Sequence, residues 1–298
     1  MAKLASKLLS VFRFRLATLL LIVTICSIWL GWVSYHARKQ RDAVAGLERH
    51  GVQVNFSYQR ATDGSFSYQV PVPGPAWFRR IIGDDYFRTA VSVTATAEKG
   101  PITDAGMRYL AALPRLEKLY VSMSGTTDEG VQHVASLTRL RYLTLRGSQL
   151  TDDGLRHLTS LRNLELLQLT ENQIGGRGLQ HLAGMTDLKT LYMYKNPISD
   201  EGLSQIARLS NLEHLGLSHT KITVPGLASL RALTKLKVLS LNHNQFNDQA
   251  IEFFSPLKSL ERLELSNTGM TPDGIATLRN ALPTCTIQGK RGDGQPTR

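Results

Sequence analysis

A small residue recurs every 24 positions in this chain, and this period constrains the fold more than any other feature. The eight residues are Thr103, Thr127, Thr151, Gly175, Ser199, Thr223, Asn247 and Thr271. The third residue after each of them is glycine, except for Ala250, and the fourth is always apolar. A period that is kept over so many copies predicts one structural unit that is repeated and stacked.

The repeated unit combines a strand with a short helix. Seven units begin at Leu116 and then every 24 residues, and the unit 140–163 reads LRYLTLRGSQLTDDGLRHLTSLRN. The alternation in its first half predicts a strand. Thr151 is a helix-capping residue, and leucines at intervals of three follow it, so the second half predicts a helix with one buried side. Neither element can bury its apolar side alone, which predicts stacking into a parallel sheet covered by helices.

The sequence LxxLxLxx followed by TDxGLxxLxxL resembles the leucine-rich repeat, and the resemblance covers residues 91–288. It is strongest to the α/β horseshoe class, which includes ribonuclease-inhibitor-like and F-box-associated repeats. The resemblance implies a solenoid with parallel strands on its concave face and short helices on its convex face. It also implies a protein-binding module without catalytic activity or cofactor. The apolar N-terminal run together with WFRRIIGDDYF resembles a family of bacterial membrane-anchored leucine-rich-repeat proteins.

The positive charge lies at the two ends of the chain. The net charge is +11, of which residues 1–50 carry +6 and residues 279–298 carry +3. Residues 51–278 therefore carry only +2. Because a nucleic-acid-binding domain needs a clustered basic face on its folded body, we expect no nucleic-acid partner.

Residues 16–35 form an uncharged apolar run of 20 residues, which is long enough to cross a bilayer as one helix. Trp29, Trp32 and Tyr35 cluster at its C-terminal end, as is typical of the headgroup region. The sequence therefore predicts a single-pass membrane anchor. Four basic residues precede the run and favour a cytoplasmic N-terminus, which places the repeats on the non-cytoplasmic side. The alternative is a cleaved secretory signal, whose apolar core is usually shorter, at about 7–15 residues.

These features divide the chain into four segments. We expect a basic N-terminus and anchor at 1–36, an N-terminal capping segment at 37–90, repeats at 91–288 and a disordered tail at 289–298. The first repeat of a solenoid needs a cover, which is the role predicted for the second segment. The alternative for that segment is a small ligand-binding domain of its own. The tail is rich in glycine, proline and charge, which is typical of disorder.

Histidines recur in the repeats without forming a predicted metal site. His133, His157 and His181 are copies of one position on the helical half, where neighbouring helices are about 8–10 Å apart. His219 and His243 end adjacent strands and should lie about 5 Å apart. Neither set has a carboxylate or a cysteine placed to complete a metal site. We also find no catalytic motif, so the sequence predicts no metal, no cofactor and no enzyme.

A small polar residue occupies the ninth position of every unit. The set is Ser124, Ser148, Asn172, Asn196, Thr220, Asn244 and Thr268. We expect these side chains to be buried and to satisfy backbone groups of adjacent repeats. The second position alternates in charge, from Glu117 and Arg141 through to Glu261. This alternation predicts a surface ladder that fixes the register of the strands.

The remaining strand positions vary, and they carry the predicted binding surface. The candidates are Tyr120, Arg146, Glu171, Tyr192, Tyr194, Lys195, His219 and His243. Tyrosine and arginine are enriched at binding hot spots, so these positions predict contact with a protein or peptide. Gly147 lies beside Glu171 and Gly216 beside Tyr192, so we expect the side chains there to stand partly uncovered.

Three other functions stay open at this level. The chain is alternatively a structural envelope protein that self-associates through its repeats. A substrate-receptor role like that of F-box-associated repeats is another alternative, although that subclass carries a cysteine in each repeat and this chain does not. A hydrolase that uses residues 37–90 would need a nucleophile, a base and an acid there, and we find no such set.

Overall fold

The computed structural model of the protein describes residues 2–61, 63, 65–67, 70–98 and 101–289. The chain divides into two compact units. One contains the residues up to Ala43 together with Ser57–Thr89, and the other contains Val44–Phe56 together with the residues from Ala90 onward. Within the predicted tail, residues 290–298 lie outside the described residues.

A long N-terminal helix, α1, runs over Ala2–Glu48. The helix therefore continues past residue 36 into the predicted capping segment at 37–90. From Leu16 onward, α1 has an 18-residue window with a mean hydropathy of 2.3 and no buried residue. Its length and composition suit a membrane span, although a secretory signal sequence near an N-terminus also meets this hydropathy criterion.

The first unit also contains a second helix, α2, over Ala76–Ile82. Short 3₁₀ turns at Ser57–Gln59 and Asp84–Tyr86 flank it. Pro75 precedes α2, and Gly83, with a φ of 88°, ends it. A positive φ of this kind favours glycine and stops the helix.

The second unit is built on one ten-stranded sheet whose strands follow each other in chain order. The strands are β1 Gln53–Phe56, β2 Ala90–Thr96, β3 Lys118–Ser122, β4 Tyr142–Arg146, β5 Leu166–Gln168, β6 Thr190–Tyr192, β7 His214–Gly216, β8 Val238–Ser240, β9 Arg262–Glu264 and β10 Thr286–Gln288. β1 is antiparallel to β2, and every later pair is parallel. Leu143 pairs with Leu167 and Leu167 with Leu191, so the sequence period is also the strand register.

Short helical segments connect consecutive parallel strands. The α-helices are α3 Asp104–Met107, α4 Asp128–Val131, α5 Asp200–Ile206, α6 Ile251–Phe254 and α7 Pro272–Ala281. The 3₁₀ segments are Arg108–Ala112, Gln132–Val134, Gly154–Leu158, Arg177–Leu182, Pro225–Ala232 and Asp248–Ala250. The predicted solenoid, with parallel strands on one face and short helices on the other, is confirmed.

The core consists of the repeated leucines. Leu143 and Leu145 on β4 and Leu155 and Leu158 on the following helical segment are each 0% exposed. Burying one such side chain contributes about 1.5–3 kcal/mol, and every repeat supplies the same set. One continuous apolar layer therefore packs the strands against the helical segments.

The predicted ninth-position ladder is confirmed at the three asparagines, Asn172, Asn196 and Asn244. Thr220 and Thr268 are half-buried, and their hydroxyls donate to carbonyls of their own repeats. Asn196 is 2% exposed, and its Nδ2 donates to the carbonyl oxygens of Leu169 at 2.8 Å and Met193 at 3.1 Å. Its Oδ1 accepts from the backbone nitrogen of Ile174 at 3.1 Å. Asn244 donates to Leu217 in the same way, at 2.8 Å. These amides satisfy backbone groups at the end of each strand, where the chain turns and the ladder of strand hydrogen bonds stops.

Candidate binding surface

A turn with a positive φ follows the parallel strands at the same position in each repeat. The residues are Met123, Gly147, Glu171, Lys195, His219, His243 and Asn267, with φ between 51° and 60°. Residues with side chains seldom adopt this conformation, so its recurrence shows that the geometry of the repeat imposes it. We call these residues the turn row. Four of the predicted binding residues belong to it.

Arg146, Glu171 and Lys195 form a chain of ion pairs at the start of the binding surface. The Glu171 carboxylate lies 2.7 Å from Lys195 Nζ and 3.4 Å from Arg146 Nε. The hydrogen bond from Lys195, with a further contribution from Arg146, lowers the pKa of Glu171. These two cations cover most of the carboxylate, and the Glu171 side chain beside Gly147 is 19% exposed.

The two predicted tyrosines pack on each other and on a glycine. The rings of Tyr192 and Tyr194 are stacked, with centroids 5.5 Å apart and an interplanar angle of 17°. The ring of Tyr194 occupies the space where a side chain on Gly216 would lie. Gly216 pairs with Tyr192 in the sheet, and Tyr192 is half-buried. The Tyr194 ring packs directly on the backbone of Gly216.

Polar residues of the next strands lie near Tyr194, and the sequence alone did not single them out. The Oγ of Ser240 donates to Glu264 Oε2 at 2.7 Å. Asn242 Nδ2 donates to the same carboxylate oxygen at 3.1 Å. Burial, with smaller contributions from Tyr192 and Glu264, raises the pKa of Tyr194 to about 12. Tyr194 is therefore a neutral hydrogen-bonding group at physiological pH.

His219 and His243 are stacked side by side in the turn row. Their ring centroids are 3.9 Å apart with an interplanar angle of 13°, which confirms the predicted proximity. His243 Nε2 lies 3.0 Å from Asn267 Nδ2. Partial burial, and then the charges of His243 and Lys195, lower the pKa of His219. The pair lines a shallow depression together with Lys195, Thr220 and Lys221.

The structure thus brings seven of the eight predicted binding residues into adjoining clusters. We call Tyr192, Tyr194, Lys195, His219 and His243 the tyrosine–histidine surface. Tyr120 is separate from it. It lies on β3, three strands from β6, which corresponds to about 14 Å at the usual strand spacing.

An exposed apolar position near Tyr120 was missed in the sequence. Met123 belongs to the turn row and is 46% exposed, while Tyr120 is 39% exposed. Both carry apolar surface beside the first repeats. The sequence gives no direct signal for Met123, because the same position of the repeat holds charged residues, Glu171 and Lys195, in other repeats.

The charge ladder at the second position forms ion pairs between neighbouring repeats. Arg141 Nε donates to Glu165 Oε1 at 2.9 Å, and Lys237 Nζ lies 2.6 Å from Glu213 Oε2. The hydrogen bond from Lys237 lowers the pKa of Glu213, and the same bond raises that of Lys237. These pairs are exposed to solvent, so they support the strand register only weakly.

No cluster of three or more histidine, cysteine, aspartate or glutamate side chains suited to a metal ion occurs in the part of the chain that the structure describes. His133, His157 and His181 are half-buried on the helical side and lie in successive repeats. The tyrosine–histidine surface offers aromatic rings, hydrogen-bonding groups and charge.

Two family models match the repeats. The model described as leucine rich repeat matches residues 138–198, and the model described as leucine rich repeats (2 copies) matches residues 210–256. No curated protein matches the chain.

Solved structures with the same architecture include internalin C2 from Listeria monocytogenes. It is 27% identical, with a TM-score of 0.54 over 66% of this chain and 80% of that chain. The plant peptide hormone receptor RGFR1, solved in complex with RGF2, is 18% identical, with a TM-score of 0.40 over 60% of this chain and 33% of that chain.

The in-register parallel strands, the asparagine ladder and these matches define the repeat region as a leucine-rich-repeat solenoid. The protein is a leucine-rich-repeat protein. Domains of this class are typically interaction scaffolds without enzymatic activity, and this supports a role as a protein–protein interaction module.

Proposed function

We propose that this is a single-pass membrane protein whose repeats bind a protein or peptide on the strand face. One observation carries the proposal: the tyrosine–histidine surface is already ordered by its own contacts. Tyr194 is seated on Gly216, and the two histidines are stacked. Side chains that are fixed before binding lose less conformational entropy when a partner arrives. Aromatic residues of this kind supply most of the binding energy at hot spots.

The chemistry of the surface favours a partner segment that offers both an apolar side chain and an acidic or carbonyl group. The exposed parts of Tyr192 and Tyr194 supply an aromatic platform. The depression beside them is lined by Lys195, Lys221 and the two histidines, and no carboxylate lines it. A peptide with an aromatic or aliphatic residue next to an acidic one fits this pairing.

Membrane attachment is the second part of the proposal. The apolar run at 16–35 serves as an uncleaved anchor, and the basic residues before it keep the N-terminus in the cytoplasm. The repeats then face the non-cytoplasmic side. Protease added to intact spheroplasts should degrade the repeats, whereas complete protection would reverse this orientation.

The capping role of residues 37–90 is also a proposal, and contacts inside the second unit support it for residues 44–56. Leu47 and Val52 are each 1% exposed, and β1 pairs with β2, the first parallel strand. The ring of Tyr109 packs where a side chain on Gly46 would lie. This antiparallel strand and helix end cover apolar surface that the first repeat would otherwise expose.

Site-specific photocrosslinking in native membranes tests the binding surface. A crosslinker at Tyr192 should form one adduct with a partner, and the same group at Ser160, which is exposed in the helical half of its repeat, should not. The double variant Tyr192→Ala, Tyr194→Ala should lose capture of that partner. Tyr142→Ala is the matched control, because Tyr142 is a half-buried tyrosine on β4 of the same sheet. Equal loss in both variants would contradict the proposed site.

The same experiment separates partner binding from self-association. If the adduct at Tyr192 contains two copies of this chain, the repeats pack against each other and the protein is a self-associating envelope component. Sedimentation of the purified protein over a range of concentrations then shows a dimer or higher species. A single sedimenting species of monomer mass together with a heterologous adduct supports the binding function.

A further inference from the structure

A large aromatic side chain is uncovered in the first compact unit. Trp77 on α2 is 65% exposed, and Ile28 in the apolar run, at 68%, is the one described large apolar side chain that is more exposed. Val70, before α2, is 40% exposed. Exposed apolar surface of this size normally marks a site that is covered in the working protein.

Contacts within this unit fix where the uncovered surface lies along α1. The ring of Tyr86 packs edge-to-face on Trp29, with centroids 6.5 Å apart. Two residues later, the carbonyl oxygen of Arg88 accepts from Gln40 Nε2 at 2.6 Å. The segment therefore runs along α1 at the C-terminal end of the apolar run, where Trp29, Trp32 and Tyr35 are placed.

A row of aromatic contacts ties α2 to this part of α1. Tyr86 contacts Phe87 at 5.1 Å between ring centroids, and Phe87 contacts Phe78 at 6.1 Å. Phe78 in turn contacts Trp77 at 5.3 Å. The position of Trp77 along the anchor is thus determined by packed rings and not by a free loop.

The residues of α2 combine the two chemistries of a lipid headgroup region. Trp77 and Phe78 are apolar, and the next two residues are Arg79 and Arg80. Arg79 lies 3.6 Å from Asp84, whereas Arg80 is exposed to solvent. Tryptophan prefers the boundary between acyl chains and headgroups, and arginine beside it is attracted to anionic headgroups.

We propose that residues 70–80 lie on the bilayer surface beside the anchor, with Trp77 in the headgroup region and Arg80 on anionic lipid. The occupant of the uncovered surface is therefore a lipid bilayer, because the surface is continuous with the apolar run that would cross it. The inference rests on the membrane anchoring proposed above. It assigns to the segment before the repeats a second membrane contact.

The three tryptophans of the chain, Trp29, Trp32 and Trp77, make this contact measurable. The full-length variant Trp29→Phe, Trp32→Phe keeps Trp77 as its one tryptophan, and Trp77→Phe reports on the other two. Both are reconstituted into vesicles whose phospholipids are brominated near the headgroup end of the acyl chains. We expect blue-shifted emission and bromolipid quenching of Trp77, with strong quenching in Trp77→Phe as well.

The two variants separate the inference from the anchoring on which it depends. Quenching in Trp77→Phe without quenching of Trp77 would overturn the lipid contact and leave the anchor intact. Absence of quenching in both variants would overturn both. Protection of Trp77 from aqueous iodide without bromolipid quenching would show that a protein covers it, and this would also overturn the inference.

The role of Arg80 is tested by lipid charge. Trp77 should be quenched more in vesicles that contain phosphatidylglycerol than in vesicles of phosphatidylcholine alone. Arg80→Gln should remove this difference. One basic residue at the surface should change the ratio of lipid-bound to lipid-free Trp77 by up to about fivefold. Arg115→Gln, in the repeats, is the control and should keep the difference. Quenching that is equal in both lipids for the parent chain would overturn the headgroup contact.

Discussion

Asp128 of one repeat accepts two hydrogen bonds from Thr151 of the next. Its Oδ1 accepts from the Thr151 backbone nitrogen at 3.0 Å, and its Oδ2 accepts from Thr151 Oγ1 at 2.6 Å. The same pair of bonds joins Asp104 to Thr127, Asp200 to Thr223 and Asp248 to Thr271. The repeated Thr-Asp pair therefore links consecutive repeats, in addition to capping its own helix at positions such as Thr271.

The repeated glycine makes room for this carboxylate. A side chain on Gly154 would overlap Asp128 Oδ1 of the preceding repeat. The same overlap holds for Gly130, Gly226 and Gly274. The position is alanine once, at Ala250, and the preceding repeat there has Val224 in place of the aspartate. The aspartate of one repeat and the glycine of the next thus act together, because the glycine leaves the space that the carboxylate fills.

Gly154→Ala should destabilise the protein by about 1–3 kcal/mol, although alanine is the better helix former, because the methyl group displaces a carboxylate held by two hydrogen bonds. Chemical denaturation followed by circular dichroism measures the change. Gly184→Ala is the control, since a methyl group there meets no atom within 4 Å. It should be neutral or slightly stabilising.

A double-mutant cycle tests the cause. Asp128→Ala removes both the hydrogen bonds and the obstruction, so the combined variant with Gly154→Ala should cost less than the sum of the two single changes. Additive costs would show that the glycine is needed for another reason.

Asn196→Leu should lower the free energy of unfolding by about 1–3 kcal/mol, because it leaves buried groups such as the Ile174 N–H without a partner. Denaturant unfolding measures it. Asn163→Leu is the matched control, because the Asn163 amide also donates to a carbonyl of the preceding repeat, Thr138, but is exposed. It should change stability by less than about 0.5 kcal/mol. Equal effects at both sites would contradict the buried ladder.

Gly216→Ala should displace the Tyr194 ring from its seat and expose the phenol. The pKa of Tyr194 should then fall from about 12 toward the ordinary value of 10.0, because burial is the main cause of the rise. Nuclear magnetic resonance of labelled tyrosine follows the titration, and Gly184→Ala should leave it unchanged. If the pKa stays near 12 in Gly216→Ala, the glycine does not position the ring.

The histidine pair should make stability depend on mild acidity. The pKa of His219 is lowered from 6.5 in the folded protein, so the unfolded chain binds the proton more readily. The contribution of His219 to stability is therefore fully present above pH 6.5. It is lost as the pH falls from 6.5 through the pKa of His219 in the folded protein. His219→Gln should remove this component of the pH dependence. The effect should be small, because the ring is exposed.

A direct titration checks the electrostatic cause. In His243→Ala, the pKa of His219 measured by nuclear magnetic resonance should rise toward 6.5, because the repulsion from the neighbouring imidazole is gone. A further decrease would show that His243 stabilises the charged form instead.

Much of the fold follows from the sequence because the 24-residue period determines which residues are neighbours in adjacent repeats. Stacking places each residue beside the one 24 positions later, so Leu167 beside Leu191 and Glu213 beside Lys237 are consequences of the period. The leucine core, the strand order, the asparagine ladder and the charge ladder could therefore be predicted from the sequence. The proximity of His219 and His243 follows in the same way.

The sequence by itself determined the repeat, its buried positions and the strand face as the variable surface, because each depends on local pattern and on adjacency at a fixed interval. Only the tertiary structure decided which way side chains point across repeats. Tyr194 covers Gly216, and Asp128 reaches Thr151, because the direction of a side chain depends on the space that its neighbours leave. It also decided that α1 continues to Glu48 and that residues 57–89 form one unit with the part of α1 up to Ala43, since those contacts are made between segments that share no period.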